Sequence, residues 1–313
     1  MSTYSKIRDA FQEALNELGK IIIGKEEVIK LLFVTLLSNG HVMLEGHIGV
    51  AKTLISRAFA RVIGGTFRRI QCTPDLLPAD ILGTFVFNQK VNDYVLRKGP
   101  IFSNVVLLDE INRANPRTQS AFLEAMQEGQ VSIEGVTLKL PQPFMVIATR
   151  VFIEEEGVFP LPKVQLDRFM FRIPVTNPTP EEEVEIISRI DVIEAFEIKN
   201  VFTPEEILKF REQIKKVIVT QSVKWYIVSL VDHLRRSRSI MYPTSPRAAI
   251  SLYKGARALA FIEGRDYVIP DDVKRIAFYA LNHRIFLKPE AELEGVSVSS
   301  LIQEVLELVP VPR

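Results

Sequence analysis

Cysteine is nearly absent from this sequence. A single residue, Cys72, excludes an intrachain disulfide and suits a reducing compartment. One isolated thiol reads as a small buried hydrophobe. Charge of one sign is also lacking. The 39 Lys and Arg residues nearly balance 38 Asp and Glu, for a net charge of +1, so nothing global attracts nucleic acid or a membrane surface. Long apolar runs are missing as well. Those present, such as residues 31–37, fall far short of the ~20 residues a membrane-spanning helix needs. The first twenty residues carry apolar side chains at helical spacing instead of a signal-peptide core. There is no internal repeat and no low-complexity tract. These absences predict a cytoplasmic protein with no membrane segment and no nucleic-acid partner.

What is present is an ordinary globular composition, 47% hydrophobic and 25% charged over 313 residues. That length suffices for a large core and about two domains. Up to about residue 175, short apolar segments alternate with helical patterns. Residues 41–45, 66–71, 105–109, 144–149 and 170–175 read as strands covered on both faces. Between the first two, Leu54, Ile55, Ala58, Phe59, Val62 and Ile63 share one helical face, and Gly64-Gly65 ends it. This alternation predicts a parallel sheet flanked by helices. Residues 84–99 and 130–140 alternate with period two and read as inserted hairpins, turning at Asn92-Asp93 and Glu134-Gly135. A Pro-rich linker at 175–180 precedes a wholly helical remainder. Thr203-Pro204, Ser245-Pro246 and Pro270-Asp271-Asp272 mark helix starts there, and Gly264 a helix end. The predicted fold is therefore an α/β core over 1–175 and a small all-α domain over 176–313.

Residues 46–53 read GHIGVAKT, between an apolar strand and an amphipathic helix. A strand, a glycine loop and a helix N-terminus gather backbone N–H groups around one anion. Gly46, His47, Ile48, Gly49, Val50, Ala51, Lys52, Thr53 and Leu54 are thus the candidate nucleotide-binding run. Lys52 would reach the terminal phosphates of ATP, and the Thr53 hydroxyl would bind Mg2+. The common pattern has glycine before the lysine, where Ala51 stands here. Downstream, an apolar strand ends in Asp109-Glu110. The order of such a sheet would bring Asp109 to Thr53 to hold the metal, and leave Glu110 to polarise an attacking water.

The stretch DEINRANPRTQSAFLEAMQEGQV from Asp109 resembles the signature of the MoxR group of AAA+ ATPases. So do IIGKEEVI from Ile22, HVMLEGHIGVAKT from His41, CTPDLLPADILGT from Cys72, RKGPIF from Arg97, EEEGVFPLPKVQLDRF from Glu154, SPRA from Ser245 and EGRDYVIPDDV from Glu263. The resemblance runs from about residue 20 to about 285, and Ala51 agrees with it. It implies a P-loop AAA+ core with two inserted hairpins and a helical lid. It further implies a homo-oligomeric ring, usually a hexamer, that hydrolyses ATP between subunits. Ile23 and Gly24 would lie against the adenine. Arg168 matches the arginine finger offered to a neighbour's ATP, and its plain alternative is an ion pair with Asp167. Arg247 matches the lid arginine, in a first helical turn whose dipole disfavours a cation unless a phosphate is near. Arg113 could also face a neighbour.

One departure stands out. The family has an asparagine two residues after Thr149, where it bonds the γ-phosphate and the attacking water. Here that position is Val151. Either Thr149 or Arg150 takes over, or hydrolysis is slow while binding is intact. The resemblance implies a chaperone-like ATPase acting on a separate client or on a von Willebrand factor A domain protein. Phe85, Phe87, Val91 and Tyr94 of the first hairpin would either meet that client or, more plainly, pack on the core. A nucleotide-gated scaffold is the alternative. A nucleic-acid motor finds no support beyond Arg97-Lys98.

Overall fold

The computed structural model describes residues 3–47, 49–150 and 158–312. Two helices, α1 (Thr3–Gly19) and α2 (Glu26–Leu37), precede β1 (Val42–Glu45), α3 (Lys52–Val62) and β2 (Phe67–Gln71). The short α4 (Pro78–Leu82) leads into β3 (Gly83–Asn88) and β4 (Asp93–Lys98), then β5 (Val105–Asp109). Next come α5 (Pro116–Glu128), β6 (Gln130–Ile133), β7 (Val136–Lys139), β8 (Met145–Arg150), α6 (Lys163–Leu166) and β9 (Phe171–Pro174). The remainder is helical: α7 (Pro180–Ser188), α8 (Ile190–Ala195), α9 (Pro204–Ile214), α10 (Gln221–Arg236), α11 (Pro246–Ile262), α12 (Pro270–Leu281), α13 (Pro289–Leu293) and α14 (Val298–Leu308). No helix among the described residues is long and apolar enough to cross a membrane.

The five expected strands form one parallel sheet in the order β2-β5-β8-β1-β9. Period two splits their side chains cleanly. Val42, Leu44, Val105, Leu107, Met145 and Ile147 join the core on the α3 face. Met43, Val106, Leu108, Val146 and Ala148 join a second core under α5, around Phe122 and Ala125. Burial on both faces is why these strands read as continuous apolar runs. The α3-side core passes without a break through α1 and α2 into α9, α10, α11, α12 and α14. A chain of rings from Phe11 and Phe33 to Phe202, Phe210 and Phe261 binds that layer, with centroids 4.9–6.0 Å apart. Such pairs each contribute about 0.5–1.5 kcal/mol beyond their burial.

Both hairpins exist. β6 and β7 turn at Glu134-Gly135, as expected, with φ of 48° and 83°, the pair of positive values a two-residue turn requires. The first hairpin differs from expectation. Asn88 pairs with Asp93, so the turn is residues 89–92 and Asp93 belongs to the strand. The positive φ of Asn92, 49°, closes that longer turn. Its side chains also depart from the plainer reading. Phe85 packs on the second core, but Phe87, Val91 and Tyr94 are exposed by 51–66%.

The helix starts follow their caps. Thr203 and Glu206 form a reciprocal capping box on α9. Ser245 caps α11 with Pro246 at its first position, and Gly264 follows α11 at φ 77°.

Candidate active site

Parallel strands bring all their carboxyl ends to one edge of the sheet, where loops can build a ligand site. β1 ends at Glu45, and residues 46–51 turn the chain into α3, whose first residue is Lys52. Val175 N donates to Glu45 O at 2.7 Å, which lays the chain after β9 across the loop. A Cβ on Gly46 would stand 2.2 Å from Val175 O, so only glycine fits. Gly49 has φ 91°, and Ala51, at the helix cap, is left-handed at φ 63°. Glycine is common before the lysine because this conformation penalises a side chain.

The Lys52 ammonium donates to Gly46 O at 2.6 Å and His47 O at 2.7 Å, across the mouth of the loop. Burial lowers its pKa, and the charges of Asp109 and Glu110 act against that. Val50 and Leu54 turn their side chains into the core, leaving only their backbone for a ligand. Ile48 lies outside the described residues.

Asp109 ends β5 and Thr149 is the penultimate residue of β8, both on the α3 face. The Thr149 hydroxyl donates to Asp109 Oδ1 at 2.6 Å and accepts from Glu110 N at 2.8 Å. Oδ2 of Asp109 accepts from Arg69 Nε at 2.9 Å and Nη2 at 2.6 Å. The same Nη2 donates to Gln71 Oε1 at 2.5 Å, and Gln71 Nε2 donates to Glu110 Oε2 at 3.3 Å. Arg113 pairs with Glu110 at 2.8 Å, within one chain. Glu110 itself is left-handed, φ 57° and ψ 53°, a strained conformation for a residue with a side chain and one often held at functional sites. Cys72 is fully buried, and burial, with the nearby carboxylates, pushes its thiol up to about 12. It is the inert hydrophobe its isolation suggested.

No group of three or more His, Cys, Asp or Glu among the described residues could cage a metal. A buried carboxylate such as Asp109 suits Mg2+, which takes only one or two protein ligands beside a phosphate. Asp109 at the end of β5 and Thr53 in the first turn of α3 would be the residues to hold it.

The neighbours of Val151 are committed elsewhere. Thr149 serves Asp109, as above. Arg150 turns to the opposite face, 3.8 Å from the buried Glu45, which Arg172 also approaches at 3.4 Å. Val151 lies outside the described residues.

Arg168 and Arg247 stand at the other edge of the sheet. Arg168 precedes β9, where Met170 N donates to His41 O just before β1. It lines a cavity of about 250 Å³ with Arg247, Lys254, Arg284, Asp167 and His41. Between this edge and the P-loop lie whole strands. The five residues of β5 span roughly 17 Å. Asp167 organises the cluster. It accepts from Arg284 Nε at 2.8 Å and from Ser245 Oγ at 2.9 and 3.0 Å, with Arg247 at 3.8 Å. Arg168 donates to Leu123 O at 3.1 Å, and its ion pair with Asp167 is not found among those of the described residues. Desolvation and then the charge of Arg247 lower its pKa. Two guanidinium groups held together favour an anion between them.

Ile23 and Gly24 line a separate cavity of about 390 Å³ between α1, α2 and Glu185 of α7. No described P-loop residue lines it. Sequence reasoning missed Arg69, Gln71, Asp167 and Arg284. The polar Arg69 and Gln71, two apart on a strand beside β5, were the only available signal for the first two.

Comparison with known proteins agrees with this geometry. Residues 41–171 match the ATPase family associated with various cellular activities (AAA), and 233–305 match an AAA lid domain. The chain is 42% identical to the uncharacterised protein YeaC of Bacillus subtilis, over 96% of this chain and 94% of that one. It is also 42% identical to the chaperone MoxR1 of Mycobacterium tuberculosis, over 96% and 82% of the two chains. The crystal structure of a candidate ATPase from Cytophaga hutchinsonii superposes with a TM-score of 0.92 at 40% identity, covering 99% of this chain and 97% of that one.

Proposed function

Because the chain belongs to the MoxR family of AAA+ ATPases, we propose that it forms a hexameric ring that binds Mg-ATP between subunits, hydrolyses it slowly, and remodels a partner protein in the cytoplasm. In this reading residues 1–175 are the nucleotide-binding core and 176–313 the lid. The loop 46–53 cradles the phosphates, and Lys52 leaves its carbonyl partners for them. Thr53 and Asp109 would hold magnesium, which would supply neutralisation of phosphate charge. Glu110 takes a proton from the attacking water. Arg168 and Arg247 of the neighbouring subunit stabilise charge on the γ-phosphate.

The observation that carries this reading is the split of the site over two edges. Lys52, Asp109 and Glu110 stand at the carboxyl ends of the strands, Arg168 and Arg247 at the amino ends. One subunit therefore cannot apply its arginines to its own phosphates, whereas head-to-tail neighbours can. The test mixes two inactive variants, Arg168→Ala and Glu110→Gln. A random equal mixture joins a sound P-loop to a sound arginine at about a quarter of its interfaces, so turnover should return to about that fraction of wild type. Mixtures as inactive as the separate variants would end the interface reading.

The partner is a separate client or a von Willebrand factor A domain chain. The exposed Phe87, Val91 and Tyr94 of the β3–β4 hairpin support an apolar client contact. A nucleotide-gated scaffold with almost no hydrolysis is the second reading. The engagement of Thr149 with Asp109 and of Arg150 with Glu45 favours it, since neither side chain is left to position water in place of the missing asparagine.

A further inference from the structure

The geometry points to Arg69 as the resident counter-cation of Asp109, which must yield the carboxylate to magnesium, so that this ion pair sets the magnesium concentration at which the site loads. The inference rests on the Mg-ATP reading above. Asp109 is buried, and a buried carboxylate without a partner is costly. Its two oxygens have different duties. Oδ1 takes the Thr149 hydroxyl at 2.6 Å, a bond shut inside the sheet. Oδ2 takes two N–H groups of Arg69, and this is the oxygen on the outer side, toward β2. Lys52 does not compete for it, since its ammonium is held by Gly46 O and His47 O.

Arg69 is free to leave in a way Thr149 is not. It stands on β2, an edge strand, and its side chain is 47% exposed against 12% for Asp109. Swinging outward returns the guanidinium to water without opening the core. A dication and a guanidinium on one carboxylate oxygen repel strongly at contact distance, so metal and Arg69 take Oδ2 in turn. In the metal-free chain the arginine keeps Asp109 correctly turned. Two charge-assisted N–H groups of one guanidinium on Oδ2 favour arginine here, because lysine offers a point charge without paired N–H groups in a fixed plane.

The experiment measures binding of a fluorescent ATP analogue while magnesium is titrated, for wild type, Arg69→Gln, Arg69→Lys and, as a control on the same strand, Arg68→Gln. Thermal unfolding is followed on the same samples. The half-saturating magnesium concentration should fall about tenfold in Arg69→Gln, as loss of one charge-assisted pair implies. It should fall less in Arg69→Lys and stay in place in Arg68→Gln. Without magnesium, Arg69→Gln should melt below wild type, and magnesium with the analogue should raise its Tm more than that of wild type. An unmoved or higher midpoint in both Arg69 variants overturns the inference; Arg69→Lys, which keeps the charge, decides the matter should the glutamine variant fail to fold. If wild type binds the analogue with a magnesium-dependent midpoint that these variants do not shift, this inference falls alone. A wild type that binds no analogue ends the Mg-ATP reading and this inference with it.

Discussion

At Glu110 and Ala51 the backbone is held left-handed, at φ 57° and 63°. These two residues separate chemistry from conformational cost. Glu110→Gln keeps the shape and removes the proposed base. Turnover should fall at least about a hundredfold, the scale of general-base catalysis, while affinity for an ATP analogue stays within a few-fold. Under the scaffold reading the same substitution changes little, so paired hydrolysis and binding assays separate the two. Ala51→Gly relieves a left-handed alanine costing about 1–2 kcal/mol but adds unfolded-state entropy of about 0.5–1 kcal/mol. Urea unfolding without nucleotide should show stabilisation of up to about 1.5 kcal/mol. His41 gives a pH dependence. Its Nδ1 accepts from Val146 N at 2.9 Å, so Nε2 carries the hydrogen donated to Met126 O at 2.7 Å. Burial first, and then Arg211, bring its pKa down from 6.5 to about 4, against the opposing bond to Met126. The unfolded chain therefore binds the proton first. Stability from neutral His41 is complete above pH 6.5 and is lost as pH falls toward 4. His283, also depressed well below its ordinary value by burial, acts in the same direction. Urea unfolding free energies across pH 4–7 should rise with pH, and His41→Asn should flatten the slope.

Among elements, the β3–β4 hairpin shows how one alternating pattern serves two faces. Phe85 packs on the second core, whereas Phe87 and Tyr94, with ring centroids 5.5 Å apart, meet edge to face in solvent. Phe85→Ala should cost about 1–3 kcal/mol, as loss of a partly buried ring does. Phe87→Ser should stay within about 0.5 kcal/mol of wild type, as surface changes usually do. Denaturant midpoints for the two variants decide between a hairpin that packs and one that presents a face. The pattern predicted the strands but not the partner of each face, because period two marks two sides and not what covers them. The turn was misjudged for a related reason. Asn92-Asp93 suits a two-residue turn, yet the register set by Asn88 and Asp93 makes the turn four residues long.

For the whole molecule, the decisive feature is that Lys52, Asp109 and Glu110 stand at the carboxyl edge of the sheet while Arg168 and Arg247 stand at its amino edge. In the proposed ring, a lone subunit would have the binding loop but lack the arginines that complete catalysis. Turnover per subunit should rise with protein concentration as rings form, while affinity for an ATP analogue changes far less; concentration-independent turnover would mean that a single subunit suffices. The lid shares this logic. Ser245 and Arg284 both hold Asp167, so the segments bearing Arg168 and Arg247 are fastened as one unit between sheet and lid.

Periodicity and local chemistry were enough to read the order of helices and strands, the loop 46–53, and the carboxylates at the end of β5. Each of these is a property of neighbouring residues: apolar spacing, a glycine where a helix begins, a charge where an apolar strand stops. The helix starts at Thr203, Ser245 and Pro270 were legible for the same reason. Tertiary structure alone decided what meets across strands. β8 inserts between β5 and β1, which hands Asp109 to Thr149, and parallel pairing with β2 hands it to Arg69. It also decided that Arg168 and Arg247 lie at the edge away from Lys52. Strand order and direction join residues far apart in the chain, and the alternation of a strand records which side a residue takes without recording its neighbour.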